Sequence, residues 1–273
     1  MVETTERYQH VVFFSGGVAS YLTARRVIHI FGTRKTVLLF CDTHAEDEDL
    51  YRFLRDAAAD LDCKLISIDD GRTPWKVFHD ERCIGSNFKS PCSRLLKRRI
   101  ARRWLTQHTD PAATTLYLGL AWYEARRVRP NFNAWLPWHT IFPMTDKPHL
   151  DRCEMLAATA ASGLRPPRLY ELGFEHNNCG GACVKAGKAN WRLLLEKLPE
   201  RYAHHEDQEA ALRRKLGRDC SVLTTMSDGR RIPYTLEEFR YHCEENPTPL
   251  PDDEWGGCDC MTETDDDSPN PNH

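Results

Sequence analysis

Apolar and polar positions alternate in blocks along the first two thirds of this chain. An apolar run over 10–14 breaks at Ser15-Gly16-Gly17, then resumes at helical spacing through Tyr21, Leu22 and Ala24. Short continuous apolar runs read as buried strands, and apolar residues three and four apart as one face of a helix. On that rule the chain predicts strands over 10–14, 36–42, 63–68 and 114–120, with helices over 19–31, 47–61, 92–107 and 149–162. Strand alternating with helix implies an α/β fold, a doubly wound parallel sheet with helices on both faces and its ligand at the carboxyl ends of the strands. Two Pro- and aromatic-bearing stretches, 71–91 and 129–148, read as loops that roof that edge. Beyond residue 165 the pattern turns to short helices and loops. This predicts a first domain over 1–164 and a small cysteine-bearing C-terminal unit over 165–261. The acidic, Pro- and Asn-rich stretch 262–273 reads as a disordered tail. No internal repeat is present.

The break between the first strand and helix carries the most chemistry. A buried strand feeding a glycine turn and a helix N-terminus builds an anion site from backbone N–H groups, with the helix dipole favouring negative charge. Gly16 and Gly17 allow positive φ and let a phosphate approach the backbone. Ser15 and Ser20 add hydroxyls at the two ends, so Ser15, Gly16, Gly17, Val18, Ala19 and Ser20 form the candidate phosphate loop. Neither G-x-x-x-x-G-K-[ST] nor a G-x-G-x-x-G after the first strand is present, which excludes the two commoner phosphate loops.

The Ser-Gly-Gly-x-x-Ser form resembles the PP-loop of the adenine nucleotide alpha-hydrolase-like ATP pyrophosphatases, a superfamily that includes phosphoadenylyl-sulfate reductases and tRNA thiolases. Asp42-Thr43-His44-Ala45-Glu46 is similar to the "D-T-x-x-E" segment of the phosphoadenylyl-sulfate reductase-like branch. Gly119-Leu120-Ala121-x-x-Glu124-x-Arg126-Arg127 is similar to its "G-x-R-x-x-E-S-x-x-R" segment, with Ala121 standing where that branch has its first Arg. The likeness covers roughly residues 8–200. It implies that the loop binds the pyrophosphate of ATP, that Asp42, Thr43, Gly119, Glu124 and Arg127 also lie at the nucleotide, and that AMP is transferred to an oxygen of the substrate.

The chain has 273 residues, 41% hydrophobic and 28% charged, with a formal net charge of −3. Its longest apolar runs are far shorter than the roughly 20 residues of a membrane span. The polar, acidic start Met1-Val2-Glu3-Thr4-Thr5-Glu6 does not read as a signal peptide. Both features lead to an expectation of a cytoplasmic protein, in which eleven cysteines serve as thiols and metal ligands rather than disulfides. They cluster. Cys179 and Cys183 flank Gly180-Gly181, Cys258 and Cys260 follow Gly256-Gly257, and Cys92 opens the basic helix. Tetrahedral thiolate sites suit an iron–sulfur cluster or Zn²⁺. The resemblance places one cysteine location at the helix after the third strand and another farther on, which Cys92 and the Cys179/Cys183 pair match. Cys41, Cys63 and Cys153 fall inside element patterns and read as core thiols. Cys92, Cys179 and Cys183 are expected to converge and face the nucleotide pocket, with Cys258 or Cys260 nearby.

One helix carries Arg94, Lys97, Arg98, Arg99, Arg102 and Arg103 opposite a buried stripe of Leu96, Ile100 and Trp104. With Arg126, Arg127 and Arg129 after the next strand, that face reads either as solvated or as a surface for a nucleic-acid backbone or the anionic end of a sulfonucleotide. Lys185, Lys188, Asn190 and Trp191 are further candidates for the cleft. Loop and cysteines together lead to an ATP-dependent adenylating enzyme that transfers sulfur, with Asp42 (the expected Mg²⁺ ligand) and Cys183 as candidate catalytic residues. A nucleic acid and a sulfur-donor protein are its expected partners, and no membrane. Two alternatives stand beside it: reduction of a sulfonucleotide, and a non-catalytic nucleotide- or DNA-binding component of a modification system.

Overall fold

The computed structural model describes residues 7–86, 89–246 and 261. Its central feature is an all-parallel sheet of β1 (His10–Phe13), β2 (Thr36–Asp42), β3 (Leu65–Asp69), β4 (Thr115–Leu118) and β5 (His139–Ile141), in the order β3-β2-β1-β4-β5. Side chains along a strand alternate between faces. Val12, Phe14, Leu38 and Phe40 therefore pack into one core under α1 (Val18–Phe31) and α2 (Glu48–Asp60). Val11, Phe13, Val37 and Leu39 pack into a second core under α4 (Ile100–His108). The doubly wound architecture expected from the pattern is what the chain adopts. Strand order runs outward in both directions from β1, so β1 and β4 form the switch point where such sheets hold ligands.

Both expected roof loops contain structure. Stretch 71–91 includes α3 (Pro74–Asp80), started by Thr73, whose hydroxyl accepts from the Lys76 N–H at 3.3 Å, and by Pro74 in the first turn. Stretch 129–148 lies within or beside α5 (Val128–Ala134) and holds the three-residue edge strand β5. The segment expected as one helix over 92–107 is continuous, but Arg94–Arg99 form a π-helical turn between Pro91–Ser93 and α4. The C-terminal part holds α6 (Arg152–Ala161), α7 (Lys188–Lys197), α8 (Pro199–Leu216), a β6–β7 hairpin (Leu223–Ser227, Arg230–Tyr234) and α9 (Leu236–Glu245). Expected as short helices and loops, it contains the 18-residue α8, whose only buried side chains are Tyr202, Glu209 and Leu212.

A third core joins the two parts. Trp75, Phe78, Leu95 and Leu96 pack with Phe174, Val184, Trp191, Tyr202 and Phe239. The expected boundary near residue 165 thus runs through a shared core. Glu209, buried on α8, accepts from the Val222 and Leu236 N–H groups, both at 2.7 Å, fixing the hairpin and α9 onto the helix. Burial pushes its carboxyl up to about 7, against the pull of those two N–H donors. Among the described residues, no helix is long and apolar enough to cross a membrane.

Candidate active site

At the end of β1 the Phe14 N–H still bonds Leu39 O (2.8 Å), and the chain then leaves the sheet through Ser15-Gly16-Gly17. Only Gly16 of the two glycines uses positive φ (79°); Gly17 is extended at φ −94° and caps α1 without a side-chain oxygen. That leaves the first-turn N–H groups of α1 without the usual Ser, Thr or Asp cap, the arrangement that receives an anion. Ser20 turns its hydroxyl back to Gly17 O at 2.7 Å, tightening the turn. A Cβ on Gly119 would stand 2.8 Å from Ser20 N and 2.9 Å from the Ala19 carbonyl. The glycine after β4 is therefore required for close backbone packing against the loop.

These elements border a cavity of about 740 Å³, within the range of small-molecule sites. Ser15, Gly17, Val18, Ala19 and Ser20 form one wall, and Leu118, Gly119, Glu124, Arg126 and Arg127 another. Glu124 accepts from the Ala121 N–H at 3.0 Å and pairs with Arg127, so these two expected site residues brace one another at the cavity edge. Tyr170 sits beside the loop; burial pushes its phenol up to about 12 against the Val18 N–H, which keeps it protonated.

Asp42 lines neither this cavity nor the one described next. Its carboxylate accepts from the Tyr51 hydroxyl and the His44 N–H, both at 2.8 Å. Glu46, the last residue of the same motif, stands at the cavities instead. Glu46 accepts from the Thr43 hydroxyl at 2.9 Å and from the Cys179 N–H at 2.5 Å. It lines both cavities, as does Lys97.

The second cavity, about 390 Å³, is bordered by Cys92, Cys179 and Cys183 together with His44, His204, His205 and Arg201. Thr43 lies here rather than at the loop. Three thiols, the outermost of them Cys92 and Cys183, are thus brought to one surface. They adjoin the loop cavity through Glu46 and Lys97 rather than facing into it. The cysteine turn is tightly built: Cys179, Gly180 and Gly181 all have positive φ (50°, 59° and 85°). A Cβ on Gly180 would lie 2.9 Å from the Arg201 guanidinium and 3.1 Å from Ala45 O. Arg201 holds Gly180 O at 2.5 Å, and Asn190 holds Gly181 O at 2.7 Å. A left-handed Cys costs about 1 kcal/mol or more, and the surrounding bonds hold it in place. Arg201 and Arg168 both pair with Asp47, which is fully buried at the start of α2. Burial would raise the Asp47 carboxyl, but Arg168, the Asp49 N–H and Arg201 outweigh it and hold it low.

His205 accepts a hydrogen bond from Trp75 Nε1 on Nδ1 at 2.7 Å, and burial pushes its pKa down to about 3. It is a neutral imidazole with its proton on Nε2, a hydrogen-bond donor rather than a ready metal ligand. Among the described residues, no three His, Cys, Asp or Glu side chains converge closely enough to hold one ion. Cys258 and Cys260 lie outside the described residues.

Other expectations divide. Cys41 and Cys63 are buried, their thiols pushed by burial up to about 12 and about 11, as inert core groups require. Cys153, expected in the core, is exposed at the start of α6 and lines the loop cavity. The basic stripe is not one solvated face. Arg94 pairs with Glu81, Arg99 with Asp70, and Arg102 caps the Ala134 and Leu136 carbonyls, while Lys97 and Arg98 are 9% exposed. Lys185, Asn190 and Trp191 are buried, and none of them lines either cavity. Lys97, expected on the basic face, lines both cavities, and Tyr170, His176 and Asn177 line the loop cavity without having been expected there. The only sequence signal was the run Glu175 to Cys183, whose Asn pair precedes the cysteine turn.

No family model matches the chain, and no curated protein does. Among solved structures it is similar to the phosphate complex of phosphoadenylyl-sulfate reductase from Candida auris, at 15% identity and a TM-score of 0.42, over 65% of this chain and 82% of that one.

Proposed function

We propose that this chain is an ATP-dependent adenylating enzyme of the PP-loop type that transfers sulfur. The observation that carries this reading is the meeting of two cavities at Glu46 and Lys97, one built around an anion-binding turn and the other around three cysteines. The first-turn N–H groups of α1, which carry no Ser, Thr or Asp cap, bind the ATP phosphates and stabilise charge as pyrophosphate leaves. An oxygen of the acceptor attacks the α-phosphorus, forming one P–O bond while the bond to pyrophosphate breaks. Hydrosulfide, supplied by a sulfur donor, then attacks the activated carbon, and AMP departs with the former oxygen. Lys97, on both walls, draws the anionic sulfur toward the nucleotide.

Mg²⁺, when bound, would neutralise the pyrophosphate, and Glu46, which lines the loop cavity where Asp42 does not, would be its hard-oxygen ligand. The soft sulfurs of Cys92, Cys179 and Cys183 suit an iron–sulfur cluster, or zinc as the alternative, in donor type. Among the described residues they do not converge on one ion as placed. The exposed Tyr123 and Arg126 on the first cavity wall suit a base and a phosphate, and support a nucleic acid as acceptor.

The test incubates the purified chain with ATP, Mg²⁺, radiolabelled hydrosulfide and bulk transfer RNA. Pyrophosphate release with label in the RNA is expected. Sulfite formed from phosphoadenylyl sulfate and a dithiol, with no pyrophosphate from ATP, would replace this reading by a reductase.

A further inference from the structure

Two exposed aromatic side chains stand side by side where the chain leaves β4. Trp122 is 43% exposed and Tyr123 50%, both on the 3₁₀ turn Trp122–Arg127. Consecutive residues of such a turn point about 120° apart, and Tyr123 lines the loop cavity while Trp122 does not. The two rings meet edge-on, with centroids 5.7 Å apart and planes at 79°. Trp122 also stacks with His149, centroids 5.5 Å apart and planes 15° apart, and the contact of His149 Nε2 with Thr145 O at 3.1 Å holds that second ring. Cations border the rings: Arg126 on the same turn, Arg129 just beyond it, and Lys147 two residues before His149. All three are exposed and carry no ion pair among the described residues. The other charged groups acting on Tyr123 line the cavity and are engaged, Glu124 with Arg127, Arg152 with Glu175, and Asp151 with the Glu154 N–H at 2.8 Å.

We propose that this corner binds an unpaired stretch of nucleic acid, one base on Tyr123 at the cavity mouth and the next on the Trp122–His149 stack. This rests on the adenylating reading of the loop cavity and deepens it, by naming the acceptor as a base in a single strand. In a duplex the faces of each base are covered by its neighbours and only the edges open to the grooves. A ring face is therefore of use to a single strand, whose bases stack on aromatic side chains whatever their sequence. The chemistry asks for the same thing. The Ser15 to Ser20 turn forms the opposite wall of the cavity that Tyr123 lines, and a base reaches such a cavity only by leaving its stack. Arg126, Arg129 and Lys147 supply the cations that the phosphates between the bases need. A protein partner would call for a continuous aliphatic patch, whereas here flat rings alternate with cations. The formal net charge of −3 repels a polyanion from the chain as a whole, so contact is confined to the corner where cations gather.

Fluorescence anisotropy of the full chain with short end-labelled oligonucleotides, DNA and RNA, each as a single strand and as its duplex, tests this. The single strand of one or both kinds is expected to bind at least about tenfold more tightly than its duplex. Trp122→Ala should weaken that binding by about 5- to 150-fold, the loss of one stacked base, and Trp122→Phe should restore most of it. Trp122→Leu, which keeps apolar bulk without a flat ring, replaces the alanine variant if that one does not fold. Arg129→Ala should lower the slope of log affinity against log salt by about 0.7, one phosphate contact. Duplexes that bind as tightly as single strands, unchanged binding in a folded Trp122→Ala protein, or no binding of any oligonucleotide overturns the assignment. Pyrophosphate release is measured on the same preparation to keep the two readings apart. Its presence without strand binding removes this inference and leaves the adenylating reading standing, whereas strand binding without ATP binding removes the adenylating reading and with it the assignment of the base as acceptor.

Discussion

The two cavities were assembled in different ways. The loop cavity takes one wall from the contiguous residues Phe13 to Ser20 and another from the end of the adjacent strand, Leu118 to Arg127. The thiol cavity draws on Thr43 to Glu46, Thr73 to Lys97 and Cys179 to Gln208, three stretches on different elements. A site built from consecutive backbone is written in local spacing, because turn, strand and helix each leave a pattern. A site built from distant side chains leaves only unusual residue types, with nothing to say where they meet.

The largest expected effect strikes the local site. Gly119→Val forces a side chain into Ser20 N and the Ala19 backbone, neither of which can yield without moving the loop. It should lower stability by at least about 3 kcal/mol, read as a fall in the urea midpoint. An unchanged midpoint would show that strand and loop do not meet as closely as described.

Behind the distant site, Glu209 makes stability depend on pH. Its native pKa is raised, from 4.5 to about 7, so the folded chain holds the proton more tightly than the unfolded one. Its contribution is complete below about 4.5 and is lost as pH rises through 7, by up to about 3 kcal/mol. Glu209→Gln should flatten that slope in denaturation curves taken between the two values; a slope of the same size in the variant would assign it elsewhere.

Asp47→Ala removes the buried partner of Arg168 and Arg201. Burial of the carboxylate argues for a large cost, but the two cations are 43% and 26% exposed and partly screened. About 2 kcal/mol is expected, with the cysteine turn loosened ahead of the loop. Hydrogen exchange should show faster amides at Gly180 and Gly181 and unchanged ones in β1.

The smallest effect on stability and the sharpest on chemistry belongs to Cys179→Ser with Cys183→Ser. ATP affinity should stay within about twofold, since neither thiol lines the loop cavity. Sulfur incorporation, and any bound metal, should be lost. Retained incorporation in a folded double variant would reduce the thiol cavity to packing.

Legibility followed the same division. The strand expected over 36–42 is Thr36–Asp42, and the loop is where its glycines put it, because burial on both faces makes central strands continuously apolar. The helix α8 escaped because three buried residues in eighteen leave almost no apolar period. Lys97 escaped because one π-helical turn changes which side chains face inward, and residue counting assumes an unbroken helix. Of the Asp42-to-Glu46 segment, which the resemblance placed beside the nucleotide, Glu46 lines both cavities, Thr43 the second alone and Asp42 neither. Which of its two carboxylates reaches the cavity was decided by Tyr51, a residue outside the motif. Cys153 sat in a helical pattern but at its first turn, where an exposed edge replaces the core.

The central claim is that the turn after β1 seats the phosphates of a nucleotide. Gly16 is a poor place to test it, since a Cβ there meets Leu50 at 2.8 Å and must also accept positive φ. Gly17 has an ordinary φ of −94°, and a Cβ on it would stand in the cavity, 3.0 Å from the Tyr170 hydroxyl and 3.8 Å from Ser15 Oγ. The measurement is the calorimetric affinity of ATP for the natural chain and for Gly17→Ala, with the melting temperature of each. The account predicts binding that weakens by about tenfold or more in the variant, about 1.4 kcal/mol, while the melting temperature moves by no more than about 2 °C. Equal ATP affinity in a folded Gly17→Ala protein would contradict it.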